Sequence, residues 1–507
     1  MNIKRAKEEI KNSIEAYLAK DARGEYLIPA VRQRPLLLMG PPGIGKTQIM
    51  EQVARECRVG LVSYTITHHT RQSAIGLPFI TEKEFGGKMY SVTEYTMSEI
   101  VASVYEKIEK TGLSEGILFI DEINCASETL APTMLQFLQA KTFGSHKIPG
   151  GWIIVAAGNP PEYNKSVREF DMATLDRVKW IPVEADFGVW KEYARRKNLH
   201  GAILSYLDIK KDNFYRIENT ADGLQFATAR GWEDLSELLY AYETLGIRAD
   251  REVVGQYIQM PRIAKDFANY LEMFYKYQKT YHVEGILSGT WENITVLELR
   301  EAPFDEKLSV MGLVLSRLSE EARNTRRQDA LTDALHTSLT EFREKIADAP
   351  PLTVQDQLLW KRRTAMKQAK EAGQLDKESR DLKQREINVL EDYRQRLDRE
   401  AVAPEGAMDA VRGWFGEEVE RRKAMAMETK DMFDNAFRFL ETTFGDSQEL
   451  VIFVTEITAG YDTSWFVEQF GCDAYFRHNR ELLFDSTRHR IREEIAAAKA
   501  AEQEENT

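Results

Sequence analysis

Two short stretches hold residue types spaced for phosphate chemistry. The first runs Gly40, Pro41, Pro42, Gly43, Ile44, Gly45, Lys46, Thr47, with Gln48 next, and fits the pattern G-x-x-x-x-G-K-[ST]. Its glycines let backbone N–H groups close around phosphate oxygens, and a helix opening at this point adds the positive end of its dipole. Lys46 then reaches the outer phosphates and the Thr47 hydroxyl ligates Mg²⁺, so ATP with Mg²⁺ is the expected pair of ligands. The second stretch, GILFIDE at 116–122, sends four apolar residues into a strand that delivers Asp121 beside the same Mg²⁺. Glu122, one residue on, is a carboxylate placed to orient and deprotonate an attacking water.

Two further candidates depend on what lies next to them. Asn159 closes the apolar run at 152–158, where its amide could hold the lytic water or a γ-phosphate oxygen. Read locally, it is just as good a turn residue before Pro160 and Pro161. Arg177 precedes the last apolar run, where a guanidinium could stabilise charge on a neighbouring subunit's γ-phosphate; Arg168 competes for that role. His68 and His69 are adjacent and so point in different directions. No Cys or carboxylate cluster, paired-Cys pattern or H-E-x-x-H accompanies them, which leaves the nucleotide's Mg²⁺ as the expected metal.

These residues need elements that hold them. Short, uniformly apolar runs at 35–39, 61–66, 116–120, 152–157 and 178–183 alternate with helical spacing. That is the pattern of a parallel sheet buried on both faces by helices. Ile49, Val53 and Cys57 recur at four-residue spacing after the phosphate loop, placing a helix there against the sheet. Residues 77–94 read as a hairpin turning at Gly86 and Gly87, and 141–151 as a shorter hairpin or loop. On the latter, Lys141, Phe143 and Lys147 are candidates for a pore lining or a plain exposed loop.

The remainder is helical in pattern. Trp232, Leu235, Leu238 and Leu239 share one face, as do Ile263, Phe267, Tyr270 and Leu271, suggesting a small helical domain over 185–282. Residues 361–400 carry 12 Lys and Arg with 9 Asp and Glu. A narrow stripe of Leu382, Val389, Tyr393 and Leu397 runs through them, so a charged helical hairpin near 353–401 is expected between breakers at Pro350–Pro351 and 401–407. The expected division is a core at 1–184, a helical domain at 185–282 and a mostly helical region at 283–507, whose stretch 449–470 is apolar enough to pack. The tail AEQEENT is expected to fray.

Composition narrows the setting. With 507 residues, at about 150 per domain, about three domains are expected. The charge balance is 68 − 81 = −13, which gives no general pull toward nucleic acid or anionic lipid. Cys57, Cys125 and Cys472 are odd in number and far apart, as in a reducing compartment. The start reads as an amphipathic surface helix rather than a signal peptide, and the longest run without Asp, Glu, Lys or Arg, 148–161, is too short to span a membrane. A cytoplasmic protein with no membrane partner is the expectation.

Taken in order, GPPGIGKT, ILFIDEIN, AAGNP and MATLDRV resemble a MoxR-type AAA+ ATPase, of the helix-2-insert, dynein-related clade. The resemblance covers about 30–185 and extends loosely to 282. It implies an α/β P-loop NTPase core of the AAA+ kind, with five parallel strands, a helical lid and a mostly α-helical C-terminal extension. It makes Lys46 and Thr47 the Walker A pair, Asp121 and Glu122 the Walker B pair, Asn159 sensor 1 and Arg177 a finger acting between subunits. Arg230, in FATARGWEDL, becomes sensor 2, contacting ATP of its own or a neighbouring subunit. The family's usual DEINR is DEINC here, with Cys125 in the arginine's place.

The resemblance also implies a ring, taken as a hexamer, that hydrolyses ATP at subunit interfaces to remodel or activate a partner, chaperone-like. A separate protein with a von Willebrand factor A domain is the expected client. Two alternatives stand beside it. A nucleic-acid-translocating motor would need a basic pore stripe, and Lys141 with Lys147 makes only a thin one. A scaffold that uses ATP to assemble and barely turns over would not need Glu122, Asn159 and Arg177 together.

Overall fold

Each apolar run becomes a strand because its side chains find cover on both faces. The computed structural model describes residues 1–480, apart from 69, 71, 73, 75, 144–145, 164–166 and 221–222. His69 and the tail AEQEENT therefore lie outside the described residues. Helix α1 (Ile3–Leu18) is followed by β1 (Leu36–Met39), α2 (Lys46–Cys57) and β2 (Gly60–Thr65). The hairpin strands β3 (Pro78–Phe85) and β4 (Lys88–Tyr95) lead to α3 (Glu99–Thr111), β5 (Gly116–Asp121) and α4 (Ala131–Ala140). The short pair β6 (Thr142–Phe143) and β7 (His146–Lys147) precedes β8 (Trp152–Gly158), α5 (Met172–Leu175) and β9 (Lys179–Pro182).

Five of these strands make one parallel sheet in the order β2-β5-β8-β1-β9. All of β1 and β8 is buried, as is β5 up to Ile120. Between β2 and β5, glycine makes room for one large side chain. A Cβ on Gly116 would stand 2.6 Å from the buried Trp152 ring, and one on Gly60 3.1 Å from it. Helix α2 turns Ile49, Met50, Val53 and Ala54 inward, while Cys57 is only half-buried. Helix α1 lays Ala6, Ile10 and Ile14 inward, and Lys7 pairs with Glu56 at 2.6 Å to hold it on α2.

The hairpin β3–β4 turns at Gly86–Gly87 and exposes Ile80, Phe85, Met89 and Tyr90. The smaller hairpin departs from one expectation. Phe143 is fully buried, stacked on Phe137 with ring centroids 4.0 Å apart, and Lys141 is buried with Nζ donating to the Ala30 carbonyl at 2.9 Å. Neither can line a pore; an aromatic next to an apolar helix end packs rather than projects. Lys147 alone of the three is exposed.

The chain divides into two units. The first joins Met1–Val189 to Thr228–Arg230 and to Leu359–Ile387. That last piece holds the facing ends of two helices far along the chain, α14 (Pro351–Glu371) and α15 (Lys377–Arg399). Arg362 pairs with Glu386 across them at 3.0 Å, and Lys107 of α3 donates to the Glu371 carbonyl.

The second unit comprises Trp190–Ala227, Gly231–Leu358 and the described chain from Asn388 onward. Its smaller elements are α6 (Phe187–Lys197), α7 (Gly201–Ile209), the antiparallel pair β10 (Arg216–Thr220) and β11 (Gly223–Ala227), α8 (Ala229–Leu245), α9 (Arg251–Tyr257), α10 (Pro261–Thr280), α11 (Val283–Ser288) and α12 (Asn293–Glu301). The β10–β11 pair stands where only helices were expected. Its sequences, RIENT and GLQFA, hold no apolar run longer than two residues to announce a strand. The long α13 (Phe304–Lys345) packs on α16 (Ala407–Phe444) and α18 (Tyr461–Phe470), with α17 (Gln448–Ala459) beside them. Stacked Phe433 and Phe466 fill that seam. Buried Asp462 takes Arg323 at 2.9 Å and Arg326 at 2.8 Å, an arrangement in which losing one partner would leave a buried charge uncompensated. In the charged hairpin the buried stripe is Ile387, Leu390, Tyr393 and Leu397, with Leu382 and Val389 only half-buried.

Among the described residues no helix is long and apolar enough to cross a membrane.

Candidate nucleotide site at the strand ends

Parallel strands put their C-terminal ends, and the loops that follow them, on one edge of the sheet. The loop after β1 reaches α2 through Gly43 and Gly45, at φ +74° and +94°, a left-handed backbone that a side chain would strain. Gly40 sits so close to the Val183 carbonyl that a Cβ there would stand 2.5 Å from it. Ile44 is buried under the loop, and Pro41, Pro42 and Gly43 are half-buried. Thr47 and Gln48 are exposed in the first turn of α2, the Gln48 amide lying beside Gly45.

Lys46 is buried, and all its hydrogen bonds go to neutral oxygens. Nζ donates to the carbonyls of Gly40 at 2.7 Å and Pro41 at 2.8 Å, and to Asn159 Oδ1 at 2.8 Å. Burial lowers its pKa to about 8; Asp121 opposes that shift, Arg230 adds to it, and Glu122 opposes it again. A buried ammonium without a carboxylate at ion-pair distance, among the described residues, is suited to an anionic ligand that supplies the missing charge. Thr47 Oγ1 donates to Asp121 Oδ2 at 2.7 Å, so a hydroxyl and a carboxylate stand together. These are hard oxygen donors of the kind Mg²⁺ takes, and residues 47 and 121 would hold it. No group of three or more His, Cys, Asp or Glu side chains is arranged to hold a metal among the described residues.

Glu122 occupies a left-handed backbone, φ 56°, immediately past the strand. Such a conformation costs about 1 kcal/mol or more in a non-glycine residue and persists only where its surroundings impose it. Asp121 Oδ1 accepts the Glu122 N–H at 2.9 Å, and Thr67 donates to Glu122 Oε2 at 3.1 Å. Thr67 was not among the residues marked in sequence. The available clue is register: β2 pairs with β5 as far as Thr65 opposite Asp121, so a polar residue two positions later falls beside Glu122.

Asn159 follows β8 and meets Lys46 directly. Arg230, in the first turn of α8, comes close to the phosphate loop. A Cβ on Gly43 would lie 3.3 Å from Thr228 and 3.5 Å from the Arg230 Cβ. Lys46, Thr47, Asp121, Glu122, Asn159 and Arg230 therefore converge. Arg177 does not join them: it is exposed beyond α5 and donates to Gln139 at 2.6 Å. Arg168 is likewise exposed, its guanidinium on Glu128 at 2.6 Å. Cys125 is half-buried, which pushes its thiol pKa up. A cavity of about 930 Å³ in the second unit, lined by Lys211, Arg262 and Asp266 among others, contains none of these residues.

Residues 35–178 match the family model described as AAA domain (dynein-related subfamily). That stretch is thus an AAA domain with the P-loop fold, and its activity is ATP hydrolysis. No curated protein matches the chain. Among solved structures it is similar to two mutant forms of Thermotoga maritima RuvB. One is 17% identical with a TM-score of 0.28, and the other 19% identical with a TM-score of 0.27. Each comparison covers 51% of this chain and 69% of the RuvB chain.

Proposed function

We propose that this ATPase works as a ring, a hexamer in the simplest form, completing each nucleotide site with a residue from the next subunit and using hydrolysis to remodel a partner protein. The observation that carries this reading is where Arg177 stands. Within one chain, Lys46, Thr47, Asp121, Glu122 and Asn159 are linked by hydrogen bonds within the cluster or with its neighbours, whereas Arg177 faces Gln139 and serves none of them. A guanidinium on an exposed edge is available to a neighbouring copy.

In the proposed cycle ATP lies along residues 40–48 with its triphosphate on the loop amides and Lys46. Glu122 orients a water and takes its proton as the water oxygen bonds to the γ-phosphorus. The bond from that phosphorus to the bridging oxygen breaks, leaving ADP and phosphate. Mg²⁺, held by Thr47 and Asp121, supplies neutralisation of phosphate charge when bound. Asn159 steadies the γ-phosphate or the water, and Arg177 of the next subunit meets the charge that develops. Arg230, beside the phosphate loop, senses the nucleotide from the start of α8.

The MoxR-like motif order supports a chaperone-like role toward a protein with a von Willebrand factor A domain. An affinity pulldown with Glu122→Gln in ATP, which binds nucleotide without turning it over, is expected to enrich such a protein over the same variant in ADP. Equal recovery in both nucleotides, or recovery of nucleic acid in its place, would remove this client and favour a translocating motor.

A further inference from the structure

Backbone pairing between β5 and β8 runs from Gly116 opposite Trp152 to Ile120 opposite Ala156 and then stops. The chemistry lies past that point, at Asp121 and Glu122 at and just beyond the end of β5 and at Asn159 just beyond the end of β8. A single side chain takes over where the ladder ends. Asn124 is 4% exposed, and its Nδ2 donates to the Asn159 carbonyl at 2.7 Å while its Oδ1 accepts the Asn159 N–H at 3.3 Å. Because one partner is a donor and the other an acceptor, the amide can sit only one way round. Gly158 has no side chain where this clamp passes; a Cβ there would stand 2.5 Å from Asn124 Oδ1.

We propose that Asn124 is a positioning residue for hydrolysis, its amide fixing the backbone of Asn159 and thereby where the Asn159 side chain stands relative to Lys46 and Glu122. The proposal rests on the reading of Asn159 as the group that steadies the γ-phosphate or the water. Asn124 lies in the single tight turn 123–125 that follows Glu122, and that turn is closed by the Cys125 N–H on the Glu122 carbonyl at 2.8 Å. The Asn124 carbonyl in turn accepts the Arg168 N–H at 3.0 Å. One residue thus ties together the turn holding the base, the turn holding Asn159 and the start of the segment leading to Arg177. Asn159 passes the constraint on, since its Oδ1 takes the Lys46 ammonium. A group misplaced by about 1 Å at a reacting centre can cost about 100-fold in rate, so a backbone clamp acts on turnover more than on binding.

A double-mutant cycle on the full chain tests this. Asn124→Asp keeps the size and one acceptor but loses both hydrogens, so the Asn159 carbonyl is left facing a carboxylate. Asn159→Ala removes the group being positioned and leaves its backbone. The readouts are kcat, the affinity for a fluorescent ATP analogue (mant-ATP) and Tm. Asn124→Asp is expected to lower kcat about 10- to 100-fold with mant-ATP affinity within about threefold of wild type. In the Asn159→Ala background the same change is expected to lower kcat by less than about twofold, because nothing remains to be positioned. Should the aspartate variant fail to fold, Asn124→Ser, too short to span both groups, gives the same readouts. The proposal is overturned if Asn124→Asp turns over like wild type, if its effect is undiminished beside Asn159→Ala, or if kcat falls only in step with mant-ATP binding and Tm. If Asn159→Ala alone turns over like wild type, it is the reading of Asn159 that fails.

Discussion

Lys46 shows how a buried charge makes a site pH-dependent before any ligand arrives. Its pKa in the folded chain, about 8, is below the ordinary 10.5, with burial the largest cause. Between those values the unfolded chain holds more protons than the folded one, so stability from this group rises with pH across that window. Below about pH 8 the cost of burying the ammonium is present in full. In urea titrations without nucleotide, wild type is expected to gain stability relative to Lys46→Met from pH 8 to pH 10. A difference that stays flat over that range would show that the ammonium is not held in a desolvating site. Much of the candidate site's layout was legible because the phosphate loop and the GILFIDE strand are local patterns. Thr67 and Asn124 were not, since their roles are hydrogen bonds between loops far apart in sequence and depend on strand register. Asn124 stood in view only as one letter of DEINC.

At the scale of elements, the strands were readable because burial on both faces leaves uniform apolar runs, and the structure moves their ends by only a residue or so. The β10–β11 pair was not readable, because half-exposed strands leave no such run. The misjudged pore candidates have the same origin. A lysine and a phenylalanine in a glycine-rich hairpin look exposed until Phe137 and the Ala30 carbonyl are found beside them. Close packing between β2 and β5 makes a sharper claim. Gly116→Ala places a methyl within 2.7 Å of three Trp152 ring atoms, an overpacking expected to cost about 1–3 kcal/mol in chemical denaturation. Those atoms all belong to the six-membered ring that Trp152→Phe deletes, so the two changes together are expected to cost less than their sum. Strict additivity would mean that the ring is not what excludes the methyl.

At the scale of the whole molecule, sequence order and spatial grouping part company. The unit that holds the candidate nucleotide site also takes in Thr228–Arg230 and Leu359–Ile387, which stand far along the chain, the second with no motif linking it to the site. No periodicity could announce that, because long-range grouping is decided by packing rather than by local pattern. On the proposed reading, ATP is hydrolysed at a site that two copies complete. Glu122→Gln and Arg177→Ala are each expected to bind ATP and to turn it over at least about 100-fold more slowly than wild type. Mixed subunits provide the most direct measurement. In a one-to-one mixture assembled with ATP, an Arg177→Ala subunit keeps its own Glu122 and can borrow Arg177 from a Glu122→Gln neighbour. With random head-to-tail placement such boundaries are about one in four, so the mixture should recover about a quarter of wild-type turnover. A mixture as inactive as its two parents, or an Arg177→Ala protein as active as wild type, would contradict a site shared through Arg177.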